Sequence, residues 1–445
     1  MGMGEQVRRQ LAAKALQRQM QRVADDADKP FVPRPAITAD TDARGELTRF
    51  DTMSQYQHVR IMRQMGDTLK VDSPFFRVHE GMAGATTTIG ERTYLNFANY
   101  SYLGMASEAP VVAASKAAID RYGTSSSASR MVAGERPIQQ ALERALADFY
   151  EVEDSVVFVS GHATNVTVIG ALFGPGDLIV HDALAHNSIV QGGQLSGAKR
   201  LSFAHNDWRA LDALLSRVRH EYRRVLIAIE GLYSMDGDIP ELKRFVDIKR
   251  RHAAFLMVDE AHSLGVIGAT GRGVREHAGV APEDVDIWMG TLSKTLASCG
   301  GFIAGSRVLT DILRHLAPGF LYSVGIAPSA AAASLAALRL MQTEPERVAT
   351  LRERGHRFLH RARAAGFDTG TSEGYAVVPI LTRSSLRAAQ WANALFDAGI
   401  NVQPIFYPAV EEQAARLRFF ICSTHTPEQI DHAVDTLARL ARGAM

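Results

Sequence analysis

Cysteine is nearly absent: only Cys299 and Cys422 occur in 445 residues, far apart and in no CxxC pair. Neither a disulfide framework nor a cysteine-based metal site is expected, and a reducing, cytoplasmic setting fits. An excess of one charge is missing too. The 49 Lys and Arg against 48 Asp and Glu leave a net charge of +1 and a pI near 7.9, which makes no case for a nucleic-acid partner. Apolar runs are broken within about ten residues, too short for a membrane span. No charged segment leads into an apolar one at the N-terminus, so no secretory signal is expected. What is present is a 46% apolar fraction, enough for a sizeable core in one large domain or in two or three ordinary ones.

Residues 1–45 differ from the rest. Val7, Leu11, Leu16, Met20 and Val23 recur at roughly helical spacing, with Arg8, Arg9, Lys14, Arg18 and Arg22 between them. Acidic residues at 25, 26 and 28, then Pro30, Pro33 and Pro35, end this helix in an extended linker. The pattern reads as a solvated amphipathic arm packed on the body or on a sister subunit, in preference to a docking helix for a partner protein or an anionic membrane. Residues 46–109 form an N-terminal segment, with a helix over 53–69 and short strands around 75–78 and 93–95.

From 110 to 335 the texture is regular. Runs rich in Val, Ile and Phe at 156–159, 178–180, 225–229, 255–258 and 287–289 read as strands buried on both faces. Helices such as 208–220 and 240–252 lie between them, so an α/β domain with a mostly parallel sheet is predicted. Residues 336–445 alternate helices and strands in an α+β pattern, which predicts a smaller C-terminal domain. Ligands of parallel sheets bind beyond the carboxyl ends of the strands, so the polar residues ending these runs matter most.

The run 255–258 ends in Asp259-Glu260-Ala261-His262. A carboxylate at a buried strand end needs a cationic partner; a pyridinium nitrogen is one, and keeping it protonated makes the ring an electron sink. Capping the next helix is the plain alternative. A metal held by Asp259 and His262 lacks a third ligand nearby. The next run leads into Gly290-Thr291-Leu292-Ser293-Lys294-Thr295 and Gly300-Gly301. In a dry pocket the Lys294 amine becomes a nucleophile toward an aldehyde; in a polar loop it is only a surface lysine. Thr291 and Ser293 suit a phosphate, but the GxxxxGK[ST] order of a nucleotide loop is absent. Ser160-Gly161-His162 joins a strand end to a helix start, a natural phosphate seat or an ordinary turn. His186 follows the run 178–180, placed to stack on a flat ring, move protons or cap a helix, and Ser234 follows the run 225–229.

In order and spacing, Asn99 to Gly104, Ser129 to Gly134, Ser160 to Asn165, Val258 to Ser263, Gly271 to Gly273, Gly290 to Thr295 and Ala415 to Arg418 together resemble the α-oxoamine synthase family of fold-type-I pyridoxal-phosphate (PLP) enzymes. The Pro74 to Arg77 stretch looks most like its serine palmitoyltransferase branch and polyketide-pathway relatives. The resemblance implies PLP on Lys294, which would also take the α-proton of a bound amino acid. It pairs Asp259 with the pyridine nitrogen and sets His262 and Ser234 on the phenolic oxygen. His186 would stack on the ring and orient the thioester carbonyl, while Gly161, His162, Thr291 and Ser293 would hold the phosphate. Arg418 would clamp the substrate carboxylate, near Ser101, where the family often has Asn. It further implies a homodimer in which Ser323 reaches the partner's phosphate.

The expected reaction is a decarboxylative Claisen condensation of serine, alanine or glycine with an acyl-CoA or an acyl carrier protein, giving an α-amino ketone. Three other readings share the scaffold: an 8-amino-7-oxononanoate synthase-type activity, an aminotransferase, and a non-catalytic regulatory subunit, the last of which the retention of Lys294, Asp259 and His262 argues against.

Overall fold

The computed structural model describes residues 45, 47–69, 72–407 and 409–443, so the predicted N-terminal arm lies outside the described residues but for its last one. Helix α1 spans Ser54–Leu69, as its spacing predicts. Strands β1 (Thr86–Ile89) and β2 (Arg92–Asn96) form an antiparallel hairpin. The strand expected at 75–78 does not form. Side chains hold this stretch instead of a ladder: Phe75 packs on Phe406 at 5.4 Å between centroids, Phe76 turns outward at φ 60°, and the Arg77 guanidinium lies 3.5 Å over the Phe396 ring.

Seven strands make the central sheet. They are β3 (Asp154–Phe158), β4 (Leu178–Asp182), β5 (Lys199–Phe203), β6 (Val225–Glu230), β7 (Phe255–Asp259), β8 (Ile287–Thr291) and β9 (Gly301–Gly305). Their order is β3-β9-β8-β7-β6-β4-β5. The five strands from β8 to β5 run parallel, and β9 is antiparallel to both β8 and β3. Alternate residues face opposite sides, as a period of two requires. Val157, Ile227, Val258 and Trp288 join one apolar cluster; Val156, Leu226, Met257 and Ile287 join the other. Strands β4, β6, β8 and β9 are buried along their whole length.

Helices cover both faces. Two of them start at strand ends that matter below: α2 (Gly161–Leu172), capped by the Ser160 hydroxyl, and α3 (Asn187–Ser196), capped by the His186 side chain.

After the long helix α4 (Pro328–Thr343) the chain builds a second, antiparallel sheet. It consists of β10 (Val377–Leu381), β12 (Gln403–Ile405) and β13 (Arg416–Phe420), with β13 in the middle, and the short β11 (Ile400–Asn401) lies outside it. β11 pairs in parallel with β2, and the Asn401 amide donates to the Asn96 side chain at 3.0 Å. Residues near each end of the chain thus share one small sheet.

Candidate active site

Register brings the acidic strand ends together: Glu230 on β6 pairs with Asp259 on β7, and Asp259 with Met289 on β8. Asp259 is 4% exposed. Its carboxylate accepts hydrogen bonds from the Asn165 side-chain amide at 2.8 Å and the Ala261 backbone at 2.9 Å. Lys294 sits three residues past the end of β8. Burial lowers its amine from 10.5 to about 8, against the attraction of Asp259 and Glu230 and with help from Arg418. Its Nζ lies 5.6 Å from the centre of the Tyr100 ring. Glu230 is buried as well; burial and the neighbouring Asp259 charge push its carboxyl well above the usual range. It accepts the His186 backbone N–H at 2.6 Å.

Two histidines stand in the same field. His186 is held below its ordinary pKa by burial, and its Nδ1 lies 2.7 Å from the Ser188 hydroxyl. His262 is depressed much further, first by burial and then by Lys294. Its Nδ1 is 2.6 Å from the Tyr102 hydroxyl, and its ring lies nearly parallel to Phe420, 6.3 Å away. His162 meets His186 edge-on, with centroids 6.2 Å apart, and is exposed.

Gly161 opens α2 against the turn that carries Lys294. A Cβ there would stand 2.8 Å from the Thr291 hydroxyl oxygen. That hydroxyl donates to the Gly300 carbonyl at 3.0 Å and accepts the Ser293 N–H at 3.2 Å. A helix N-terminus ringed by Thr291 and Ser293 suits an anion. On β13, Arg418 donates to the Ser234 carbonyl at 3.1 Å, and its guanidinium lies 4.6 Å over Phe420. Its Nε and the Ser101 hydroxyl are buried without a partner. Such orphaned groups are costly unless a ligand satisfies them. Ser323 lies apart from this cluster in a half-exposed turn, bonded to the Val324 carbonyl at 3.3 Å.

Residues 92–437 match the family model for class I and II aminotransferases. The chain belongs to this family. It is 36% identical over 388 residues to an 8-amino-7-oxononanoate synthase of Fervidobacterium nodosum, covering 86% of this chain and 98% of that one. It is 37% identical over 366 residues to a serine palmitoyltransferase of Bacteroides thetaiotaomicron, covering 82% and 92%. Both relatives are α-oxoamine synthases, the branch to which the chain belongs. Among solved structures, serine palmitoyltransferase from S. paucimobilis with PLP and myriocin bound superposes with a TM-score of 0.85 at 30% identity, over 89% of this chain and all of that one. The fold is accordingly that of the fold-type-I PLP transferases.

The family's cofactor fits the residues present. There is an amine of lowered pKa, a buried carboxylate on the adjoining strand, two imidazoles held below their ordinary pKa, an anion seat at α2 and an orphaned guanidinium nitrogen. Sequence reasoning passed over Tyr102 and Asn165, which lie inside motifs it had singled out, and Ser188 and Glu230, which stand close to His186 and to the end of the run 225–229. Each is an ordinary polar residue in the sequence, and only burial beside Asp259, His186 or His262 marks it out.

Proposed function

We propose that the protein condenses a small amino acid (serine, alanine or glycine) with an acyl thioester, releasing carbon dioxide and free thiol and leaving an α-amino ketone, with PLP attached at Lys294. The observation that carries this is the meeting of the Lys294 amine, lowered to about 8, with buried Asp259 at adjacent strand ends, in a chain whose relatives are α-oxoamine synthases over more than four-fifths of its length. PLP supplies an electron sink for the carbanion at the amino acid's α-carbon.

The chain's own residues do the rest. Lys294, partly neutral near pH 8, is the nucleophile toward the aldehyde and then the base that takes the α-proton. Asp259, oriented by its hydrogen bonds from Asn165 and Ala261, would pair with the pyridine nitrogen. His262 and the Ser234 hydroxyl serve the phenolic oxygen, and His186 stacks on the ring and orients the thioester carbonyl. Gly161, His162, Thr291 and Ser293 hold the phosphate. Arg418 and Ser101 take the substrate carboxylate, which would satisfy the buried Nε and hydroxyl that lack partners.

Two copies complete the site in this reading, with Ser323 reaching the partner's phosphate. Met131, Val132, Tyr322 and Val324 are 56%, 82%, 87% and 48% exposed, an apolar set around Ser323 and the 129–134 turn of the kind that partners cover. We also propose the division into a segment 46–109, a large domain 110–335 and a small domain 336–445. No helix among the described residues is long and apolar enough to cross a membrane; the cytoplasmic location stays part of this proposal.

Purified protein with PLP, offered serine, alanine or glycine and acyl thioesters on CoA or carrier protein, is expected to release thiol and carbon dioxide together. Formation of a keto acid and pyridoxamine phosphate without thiol would establish transamination instead. Acyl chains with and without a terminal carboxylate separate the two activities named among the relatives.

A further inference from the structure

A neutral imidazole has one N–H and one bare nitrogen, so what it can do depends on which nitrogen carries the proton. His186 and His262 are both held on the neutral side, and in both the structure places a buried polar group on Nδ1. The identity of those groups decides the tautomer.

At His262 the partner is Tyr102, whose hydroxyl lies 2.6 Å from Nδ1 with the side chain fully buried. A phenol ionises only near pH 10, and burial raises Tyr102 well above that. The hydroxyl therefore keeps its proton. A hydroxyl is able to accept as well as donate, but no other hydrogen bond of this oxygen occurs among the described residues, and donating to a bare Nδ1 is the one way to place its buried proton.

At His186 the argument runs through three residues. The Asn165 amide donates its two protons to the Asp259 carboxylate at 2.8 Å and to the Ser188 oxygen at 2.9 Å. The opposite amide orientation would set an oxygen against the accepting oxygen of Asp259 and leave both contacts without a donor from Asn165, so this one holds. Ser188 Oγ, already accepting from Asn165, donates its own proton to His186 Nδ1 at 2.7 Å. The Ser188 backbone N–H points at the same Nδ1 from 3.3 Å. Two donors converge on that nitrogen, and a protonated Nδ1 would face them both.

We infer that Tyr102 on one side, and Asn165 with Ser188 on the other, fix His262 and His186 in the same tautomer, with the proton on Nε2. Tyr102, Asn165 and Ser188 are positioning residues. Each histidine is left with an Nε2–H to donate, and no hydrogen bond to either Nε2 occurs among the described residues. Asn165 also ties the two halves of the site together, since one amide orients the Asp259 carboxylate and, through Ser188, the His186 ring. The tautomers follow from geometry alone; their use, an N–H for the phenolic oxygen and one for the thioester carbonyl, rests on the roles proposed above.

The test is 15N NMR of histidine-labelled protein at pH 7.5, before and after loading with PLP, with signals assigned by loss in His186→Gln and His262→Gln. In the unloaded protein both rings are expected to show a bare Nδ1 and a protonated Nε2. A protonated Nδ1 on either ring overturns the inference, whatever the activity of the loaded enzyme. Tyr102→Phe is expected to shift the His262 signals toward a mixture of tautomers and leave His186 unchanged; Ser188→Ala should do the reverse, more weakly, because the backbone N–H remains. In the loaded enzyme Tyr102→Phe should lower kcat roughly tenfold or more with KM for the amino acid within about twofold. A variant that loses activity while its tautomers stay as in the parent also overturns the assignment, since the residue would then be only structural. Should a variant not fold, the parent spectrum still decides. Failure of the condensation reading leaves that spectrum untouched, so the two are separable.

Discussion

The side chain with the sharpest consequences is Lys294. Its replacement by alanine is expected to abolish the visible absorbance of the PLP-loaded protein, and a band that persists would move the attachment elsewhere. A second outcome concerns stability. The amine titrates near 8 in the fold and near 10.5 outside it. Below pH 8 it is charged in both states, and the fold bears the penalty of a buried charge. As pH rises from 8 to 10.5 the folded amine is neutral while the unfolded one is still charged, so the penalty fades. Cofactor-free Lys294→Met should therefore melt above the parent at pH 7, by roughly 1 °C for each kcal/mol regained in a chain of this length. That gap should close by pH 10.5; calorimetry showing it constant with pH would contradict the burial argument. At this scale the sequence was most readable. Asp259, Lys294 and His262 could be singled out from strand-end position and the order of motifs, because strongly ionisable groups beside apolar runs are conspicuous. Glu230, Asn165 and Tyr102 were not, since nothing in their letters tells a buried, protonated or donating group from a solvated one.

Among the elements, β9 shows best what one-dimensional reading misses. Its sequence, Gly-Phe-Ile-Ala-Gly, carries a glycine at each end and gives no strand signal, yet it is an inner strand. The reason is spatial. A Cβ on Gly301 would stand 2.7 Å from Gly161 Cα, so the strand passes α2 at a distance that only glycine permits. Gly300, just before it, has φ 146°, and a side chain there would meet the Phe158 carbonyl at 2.9 Å. Gly300→Ala is expected to lower stability by about 1–3 kcal/mol and to weaken PLP binding, because Thr291 and Ser293 both bond the Gly300 backbone. Urea melts and a PLP titration would check this; unchanged values in both would show that the turn has slack. The edge strand β5 escaped notice for another reason: Lys199, Arg200 and Ser202 dilute its apolar signal. The parallel strands β4, β6 and β8 were legible because burial on both faces demands unbroken Val, Ile and Leu.

For the whole molecule, the proposed division of labour between two copies is open to a mixing experiment. Ser323→Asp would set a negative charge against the partner's phosphate, and Lys294→Ala removes the attachment point; each variant alone should be nearly inactive. In a mixed dimer one site carries both defects and the other carries neither. Co-expressed chains should thus regain up to about a quarter of the parent activity if half the dimers are mixed. No recovery in dimers shown to be mixed would place Ser323 in its own chain's site or in none. The pairing of β2 with β11 has its own bearing on engineering. A chimera that borrows a relative's tail beginning at 336 would lay a foreign strand beside the native Arg92–Asn96, where Asn401 now bonds Asn96. Exchanges should cut the gene in two places and carry 80–96 along with the tail; a single crossover is expected to yield chains that aggregate along an unmatched strand edge.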